Sequence, residues 1–160
     1  MKSIFTYNTA VGIISIAEED NFITMLKFGK KHFDTNAIEQ ETTLMKETYQ
    51  QLQKYFKGEL REFSIPIKLN GSDFQKRVWL ALQKIPYGKT CTYKQIAENI
   101  NNPKACRAVG LANNRNPISI IVPCHRVIGS NGKLVGYVGG LNIKKNLLEI
   151  ERIVTIENTH

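Results

Sequence analysis

Three helix starts follow one another in the second half of the chain, and they constrain its fold more tightly than any other feature of the sequence. Ser72 and Thr92 are each followed three residues later by glutamine, the capping-box arrangement in which two side chains satisfy backbone N–H groups at a helix N-terminus. Asn102 precedes Pro103, and this pair is typical of an N-cap and the first helical residue. The spacing predicts three short helices, at 73–85, 93–100 and 103–113.

The third of these helices contains unusually small side chains. In "PKACRAVGLANN" (103–114) alanine or glycine occupies positions 105, 108, 110 and 112, so the helix can approach another surface closely. That surface is either a neighbouring helix or a nucleic-acid groove. The second and third helices, joined by "NNP", form either a helix-turn-helix or an ordinary helical pair within a core. The pattern alone leaves both alternatives open.

The first 70 residues predict a small α+β unit. The apolar runs at 11–17 and 22–28 flank a turn-prone segment, which indicates a β-hairpin. Apolar residues at helical spacing up to Gly58 predict a helix, and "FSIPIKL" (63–69) alternates as a strand whose proline places it at a sheet edge. The segment "LNGSD" (69–73) is the expected boundary between domains 1–70 and 71–160.

Charge is distributed unevenly between these halves. The chain has 160 residues and a formal net charge of +8, and the lysines and arginines of residues 1–70 are balanced by acidic residues. The whole basic excess therefore lies in residues 71–160. Such asymmetry favours a polyanionic partner, most often nucleic acid.

Several classes of protein are disfavoured by composition. No apolar stretch reaches the roughly 20 residues that a membrane span requires, and polar residues interrupt the N-terminus before a signal-peptide core could form. Three cysteines without CxxC or HxxxH spacing indicate neither a disulfide framework nor a zinc site. We therefore expect a cytoplasmic protein with free thiols and no metal.

The residues with the clearest chemical potential lie in "IIVPCHRVIGS" (120–130). The apolar run "ISIIV" (118–122) predicts a buried strand that ends at Pro123 and delivers Cys124 to its end. A lone buried cysteine usually fills space, but a thiolate supported by His125 would be a nucleophile. Glu151 lies at the edge of the apolar stripe of a last helix predicted at 142–152, where it could orient the histidine. Spacing alone does not decide whether the cysteine packs or reacts.

Taken together, these segments resemble the O6-alkylguanine-DNA alkyltransferases, also called methylated-DNA-protein-cysteine methyltransferases. The resemblance rests on "FQKRVWLALQKIPYGKTCTYKQIA" (74–97), "RAVGLANNRNP" (107–117), "PCHRV" (123–127) and "GYVGGLNIKKNLLEIE" (136–151). It implies an α+β fold, with a small RNase H-like N-terminal domain followed by a helical, winged helix-turn-helix-like domain that binds DNA and carries the active site. The implied partner is duplex DNA containing O6-alkylguanine, bound by a monomer without a cofactor.

The resemblance also implies a role for each matching residue. Cys124 would accept the alkyl group in a single irreversible turnover, after the base is flipped out of the duplex. His125 would act through a water molecule and Glu151 to hold the thiolate, and Asn116 would be a hinge between the DNA-binding helices and the active site. Tyr93 would assist protonation of the leaving guanine and crowd the flipped phosphate, and Arg107 would enter the base stack.

The remaining implied contacts concern DNA and the base pocket. The helix at 103–113 would enter the minor groove through its small residues Ala105 and Ala108. The basic excess suggests that three residues contact phosphate: Lys104, Arg115 and Arg126. The pocket wall would lie in "YVGG", at Tyr137 and Val138.

One departure and several alternatives remain open. Val138 stands where some members carry a serine that bonds the alkylated base, which leaves acceptance of bulky alkyl groups and of O4-methylthymine open. The alternative function is a non-catalytic alkylated-DNA-binding protein of the same fold, although such proteins lack the cysteine. A helix-turn-helix regulator and a cysteine hydrolase are further alternatives, and neither accounts for the whole pattern.

Overall fold

The structure, a computed structural model, describes residues 2–30, 36–130, 132, 134, 136, 137 and 139–157. The chain divides into two compact units, Met1–Leu69 and Asn70–His160. Within the described ranges, none of the helices combines the length and hydropathy that crossing a membrane requires.

The first unit is a four-stranded sheet packed against one helix. Strands β1 (Lys2–Thr9), β2 (Gly12–Glu19), β3 (Phe22–Phe28) and β4 (Ile38–Glu39) lie in the order β3-β2-β1-β4, and only the β1–β4 pairing is parallel. Helix α1 (Thr43–Phe56) begins at Thr42, whose side chain accepts a hydrogen bond from the Met45 N–H. The unit's core includes fully buried side chains from both layers: Ile14, Ile16, Leu26, Met45, Leu52 and Tyr55.

Two predictions for this unit have different outcomes. The hairpin is confirmed, and Asp20 and Asn21 form its turn with φ values of 54° and 67°, a region that aspartate and asparagine tolerate. The predicted strand at 63–69 is wrong. Only Ile67 forms a bridge, with Ile23 of β3, while the Pro66 carbonyl accepts from the Ile23 N–H at 2.9 Å. This segment pairs with the sheet edge at that bridge, and Phe63 packs against Tyr55 of α1 with ring centroids 5.5 Å apart.

The second unit is built around three packed helices: α2 (Asp73–Gln83), α3 (Tyr93–Asn99) and α4 (Cys106–Asn114). Both predicted capping boxes are present, at Ser72 and at Thr92. The buried Trp79 donates its indole N–H to the Ala112 carbonyl at 2.9 Å, which ties α2 to α4. The predicted start of α4 is wrong: residues 102–105 form a turn, and the helix begins after Ala105 without a side-chain cap.

The rest of this unit surrounds the helices. A short parallel pair joins β5 (Cys91–Thr92) to β6 (Val127–Ile128), and a 3-10 turn, Cys124–Arg126, leads directly into β6. Helix α5 (Leu141–Glu157) is longer than the 142–152 expected from the sequence, and it packs against the 3-10 turn. This packing places the last helix beside the cysteine.

Candidate active site

The segment between α4 and Cys124 is a buried turn rather than the predicted strand. Ile120 adopts φ of 72°, a left-handed conformation that interrupts extended backbone and is rare for a β-branched residue. The buried Asn116 holds the turn together, because its amide donates to the Val122 carbonyl at 2.8 Å and accepts from the Ile118 N–H at 3.0 Å. The strand prediction failed because local β propensity does not reveal a turn fixed by one side chain.

Cys124 begins the 3-10 turn directly after Pro123, and its side chain is almost completely buried, at 1% exposure. Asn113, on the buried face of α4, donates its amide to the Cys124 carbonyl at 3.3 Å. This bond links the backbone of the cysteine to α4. The cysteine and the helix are therefore held in a fixed relation.

The surroundings of the Cys124 thiol have opposing effects on its ionisation. Burial raises the pKa of the thiol, whereas hydrogen bonds from Asn116 and Tyr137 and the positive charge of Lys144 lower it. These three groups would stabilise a sulfur anion that burial alone would disfavour. Burial has the larger effect, so the pKa of the thiol lies above its ordinary value and the three groups offset only part of that rise.

Lys144 is a candidate functional residue that the sequence reasoning missed. Its side chain is buried, and Nζ donates to the Val127 carbonyl at 2.6 Å and to the Gly136 carbonyl at 3.4 Å. Burial lowers the pKa of Lys144, and the Cys124 thiolate charge raises it. A signal was present in the sequence, because Lys144 precedes Leu147 and Glu151 by three and seven residues and so shares one face of α5.

His125 and Glu151 are in direct contact. His125 Nε2 lies 2.5 Å from a Glu151 carboxylate oxygen, and both side chains are buried. This bond places the proton on Nε2 and makes Nδ1 the acceptor nitrogen of the neutral ring. Cys124 and His125 are consecutive residues of the 3-10 turn and do not lie in an extended segment. Their side chains are therefore not forced onto opposite faces of the backbone.

The structure corrects the prediction that Arg126 contacts DNA phosphate. Its side chain is buried at 8% exposure, donating from Nε to Glu151 at 2.8 Å and from Nη1 to the Ile85 carbonyl at 2.7 Å. The guanidinium also lies 5.7 Å from the Tyr87 ring centroid. A buried guanidinium bound to Glu151 is not exposed to a phosphate, and the basic excess of the sequence could not distinguish a buried arginine from an exposed one.

Glu151 therefore accepts hydrogen bonds from several directions. His125 and Arg126 bind its two oxygens, and the Gly88 N–H donates to it at 3.3 Å. Burial alone would raise the pKa of Glu151, but the hydrogen bonds and charges of His125 and Arg126 lower it to about 2. Burial lowers the pKa of His125, against the effect of Glu151, which raises it. The site at neutral pH is thus a neutral imidazole held by a carboxylate anion.

Tyr93 and Tyr137 lie near the thiol. Tyr93 is the first residue of α3, and its ring faces Gly110 of α4, where an added Cβ would lie 3.8 Å from the ring. Burial and the Cys124 charge raise the pKa of Tyr93, which keeps its hydroxyl protonated. Tyr137 is half-buried and hydrogen-bonds the thiol. Val138 lies outside the described residues.

The opposite side of α4 faces solvent. We define its outward face as Arg107, Ala108, Leu111 and Asn114, all of which are exposed. Lys104 and Arg115 are exposed just before and just after the helix, while Ala105 is half-buried. Of the residues predicted to contact DNA, five therefore lie on or beside one accessible helix face: Lys104, Ala105, Arg107, Ala108 and Arg115. Tyr93 lies on α3, and Arg126 is buried.

Comparison with known proteins agrees with this geometry. Residues 73–153 match the family model described as 6-O-methylguanine DNA methyltransferase, DNA binding domain, and residues 5–69 match its ribonuclease-like domain. A methylated-DNA–protein-cysteine methyltransferase of Methanosarcina acetivorans is 51% identical over 149 residues, covering 91% of this chain and 95% of the relative. This chain belongs to the methylated-DNA–protein-cysteine methyltransferase family.

Further members of the methyltransferase family support that assignment. The Mycolicibacterium paratuberculosis protein of the same name is 48% identical and covers 92% of this chain and 90% of the relative. Among solved structures, Mycobacterium tuberculosis OGT in complex with DNA has a TM-score of 0.90 and 45% identity, covering 95% of this chain and 94% of that chain. The α+β fold, with an N-terminal sheet domain and a C-terminal helical DNA-binding domain, is confirmed for this methyltransferase.

Across the ranges that the structure describes, no three His, Cys, Asp or Glu side chains are grouped so that they could hold a metal ion. The buried His125 and Glu151 instead bind each other, with Arg126 as the third member.

Proposed function

We infer that this chain repairs DNA by moving the alkyl group from O6 of guanine to the sulfur of Cys124, and that each molecule acts once. The observation that carries the assignment of Cys124 is the set of groups around its sulfur. Asn116, Tyr137 and Lys144 all favour the thiolate, although the thiol is buried. A cysteine that merely filled space would have no need of three such groups.

The reaction is a nucleophilic displacement at the alkyl carbon. The Cys124 thiol gives its proton to His125, through a water molecule, and Glu151 stabilises the resulting imidazolium. The thiolate attacks the carbon, the carbon–O6 bond breaks with its electron pair moving to the guanine, and a thioether forms. The guanine takes up one proton, which we assign to the Tyr93 hydroxyl because its raised pKa keeps it protonated. The proton held by His125 then replaces the one that Tyr93 gives up. The carbon–sulfur bond of the thioether does not break again, because a thiolate is a poor leaving group from carbon. The reaction therefore consumes the protein.

Burial of Cys124 requires the base to leave the duplex. A sulfur with 1% exposure cannot reach an atom inside a base stack, so the alkylated nucleotide must be rotated into the site. This chain binds DNA, and the outward face of α4 is the surface we assign to the minor groove. Arg107 would occupy the gap in the stack, Ala105 and Ala108 would permit close approach, and Lys104 and Arg115 would contact phosphates.

The remaining assignments complete the proposal. We assign the hinge to Asn116 because its amide fixes the turn between α4 and Cys124. We assign the base pocket to Tyr137 and, from the sequence resemblance alone, to Val138. Residues 1–70 form the RNase H-like domain, and residues 71–160 bind DNA and accept the alkyl group. We infer a cytoplasmic location, supported by three cysteines that are all free. We also propose that the protein acts as a monomer, on the sequence resemblance alone.

The proposal is tested by measuring protein mass after incubation with a duplex containing O6-methylguanine. We expect a stoichiometric gain of one methyl group, located on Cys124 by peptide mapping and lost in Cys124→Ser. Cys106→Ser, which removes a half-buried thiol at the start of α4, is the matched control and keeps the gain. Binding without a mass gain would indicate the non-catalytic lesion-binding alternative, and continued turnover would indicate a hydrolase.

A further inference from the structure

Leu111 lies at the centre of the outward face of α4. At 100° per residue, its direction falls between those of Arg107 and Ala108 when the helix is viewed along its axis. The side chain is 53% exposed, which is large for leucine. It is also the one bulky apolar side chain on a face otherwise made of an arginine, an alanine and an asparagine.

The packing of α4 within its own unit does not use Leu111. The helix is held through its other side, where Val109 is fully buried, Ala112 is 3% exposed and the Ala112 carbonyl accepts from Trp79. Asn113 on the same side binds the Cys124 carbonyl. An exposed leucine therefore contributes little to the stability of the fold. Exposure alone does not require a partner, so any partner of Leu111 has to be inferred from its neighbours on this face.

The charges around Leu111 indicate the chemistry of that partner. Arg107 lies one helical turn before it on the same face, and the exposed Lys104 and Arg115 lie at the two ends of the helix. An apolar centre with basic groups around it complements a DNA groove, where base edges and sugars are flanked by two lines of phosphates. The half-buried Gly110 and exposed Ala108 beside Leu111 leave room for the groove walls.

We propose that Leu111 is an apolar minor-groove contact that packs against sugars and base edges next to the site occupied by Arg107. The proposal rests on the proposed function, because it takes the outward face of α4 as the DNA surface. Residues one turn apart have Cβ atoms about 5–6 Å apart, which corresponds to roughly two base-pair steps of about 3.4 Å. Leucine is among the side chains that proteins press between base steps in the minor groove.

This role separates Leu111 from the charged residues around it. An apolar contact removes hydrocarbon surface from water and releases no counterions, so its contribution to affinity is independent of salt. A phosphate contact by Lys104 or Arg115 weakens as salt rises. The two kinds of contact are therefore distinguishable in a single set of titrations.

The test compares Leu111→Ala with Leu80→Ala, a matched control on the outward side of α2 where the leucine is 56% exposed. Affinity for a duplex containing O6-methylguanine is measured between low and moderate salt, and the rate of transfer from a free O6-alkylguanine base is measured in parallel. We expect Leu111→Ala to bind duplex roughly fivefold to twentyfold more weakly, with an unchanged salt slope and an unchanged free-base rate. Leu111→Met, which restores apolar bulk, should recover most of the affinity.

Two results would overturn the proposal, and two further comparisons separate its failure from that of the proposed function. Duplex affinity of Leu111→Ala within twofold of wild type, as expected for Leu80→Ala, would show that the side chain makes no contact. An equal slowing with the free base would place its role in the active site rather than in DNA binding. If Arg107→Ala loses duplex repair and Leu111→Ala does not, the proposed function stands and only the Leu111 contact fails. If the wild-type chain transfers no alkyl group, the proposed function itself fails.

Discussion

Lysine and arginine side chains occur both in the interior near α4 and on its outward face, and their environments differ in the two places. Beneath the helix lies what we call the buried cluster, defined as Cys124, His125, Arg126, Lys144 and Glu151, all with exposures of 8% or less. On and beside the outward face, Lys104, Arg107 and Arg115 are exposed. The cluster charges are fixed by hydrogen bonds to carbonyls and to a carboxylate, whereas the exposed charges remain in water.

This difference shows how a basic sequence divides its charge between chemistry and recognition. A buried guanidinium without a partner would cost several kcal/mol, so Arg126 is retained only together with Glu151. An exposed one costs little and can exchange water for phosphate. Substituting a buried arginine, Arg126, and separately an exposed one, Arg115, separates these two uses of charge.

The largest expected effect comes from Arg126→Met. It removes hydrogen bonds to Glu151 and the Ile85 carbonyl and leaves both acceptors buried, so we expect the free energy of unfolding to fall by about 3–5 kcal/mol. Urea denaturation measures this loss. The control is Arg115→Met at the end of α4, which should leave the free energy of unfolding nearly unchanged.

DNA titrations of the same two variants sharpen the comparison. Arg115→Met should reduce the slope of log affinity against log salt by about one, as expected for one lost phosphate contact. Any Arg126→Met protein that folds should keep the wild-type slope. A reduced slope in Arg126→Met with little loss of stability would restore the phosphate role that the sequence suggested.

A second effect is acid sensitivity caused by Glu151. Its pKa of about 2 in the folded protein lies below the ordinary value of 4.5, so the unfolded chain binds more protons between these limits. The stabilisation is complete above about pH 5 and is lost as pH falls toward 2, by about 3 kcal/mol. Glu151→Gln should flatten this part of the stability–pH profile, whereas Glu149→Gln, an exposed position on the same helix, should not. A Glu151→Gln profile as steep as wild type would contradict the assignment.

The parts of this structure that could be predicted are those governed by local rules. The capping boxes at Ser72 and Thr92 involve residues three apart, and the turn at Asp20 and Asn21 lies between two adjacent strands, so short-range patterns contain the necessary information. The "PCHRV" motif likewise predicted the family, which the comparisons confirm. Each of these signals lies within a few consecutive residues.

The parts that could not be predicted depend on distant partners. The turn at Ile120 is fixed by the Asn116 amide, and Arg126 is drawn into the interior by Glu151, 25 residues away in the sequence. Neither hydropathy nor charge reports such contacts before the fold is known. Lys144 is the intermediate case, because its position on the apolar stripe of α5 was visible but a lysine there is ordinarily assumed to reach solvent.

The smallest expected effect compares Lys144 with Lys104. Lys144→Met removes a charge that lowers the pKa of the Cys124 thiol, so transfer from a free alkylated base should slow roughly tenfold at neutral pH, as expected for one lost charge-assisted interaction. The rate should recover as pH rises, because a higher pH ionises the thiol without help from the lysine. Lys104→Met should leave this pH profile unchanged and instead lower the salt slope of duplex binding by about one. A Lys144→Met rate that falls equally at every pH would mean that the lysine supports the cluster structurally and does not stabilise the thiolate.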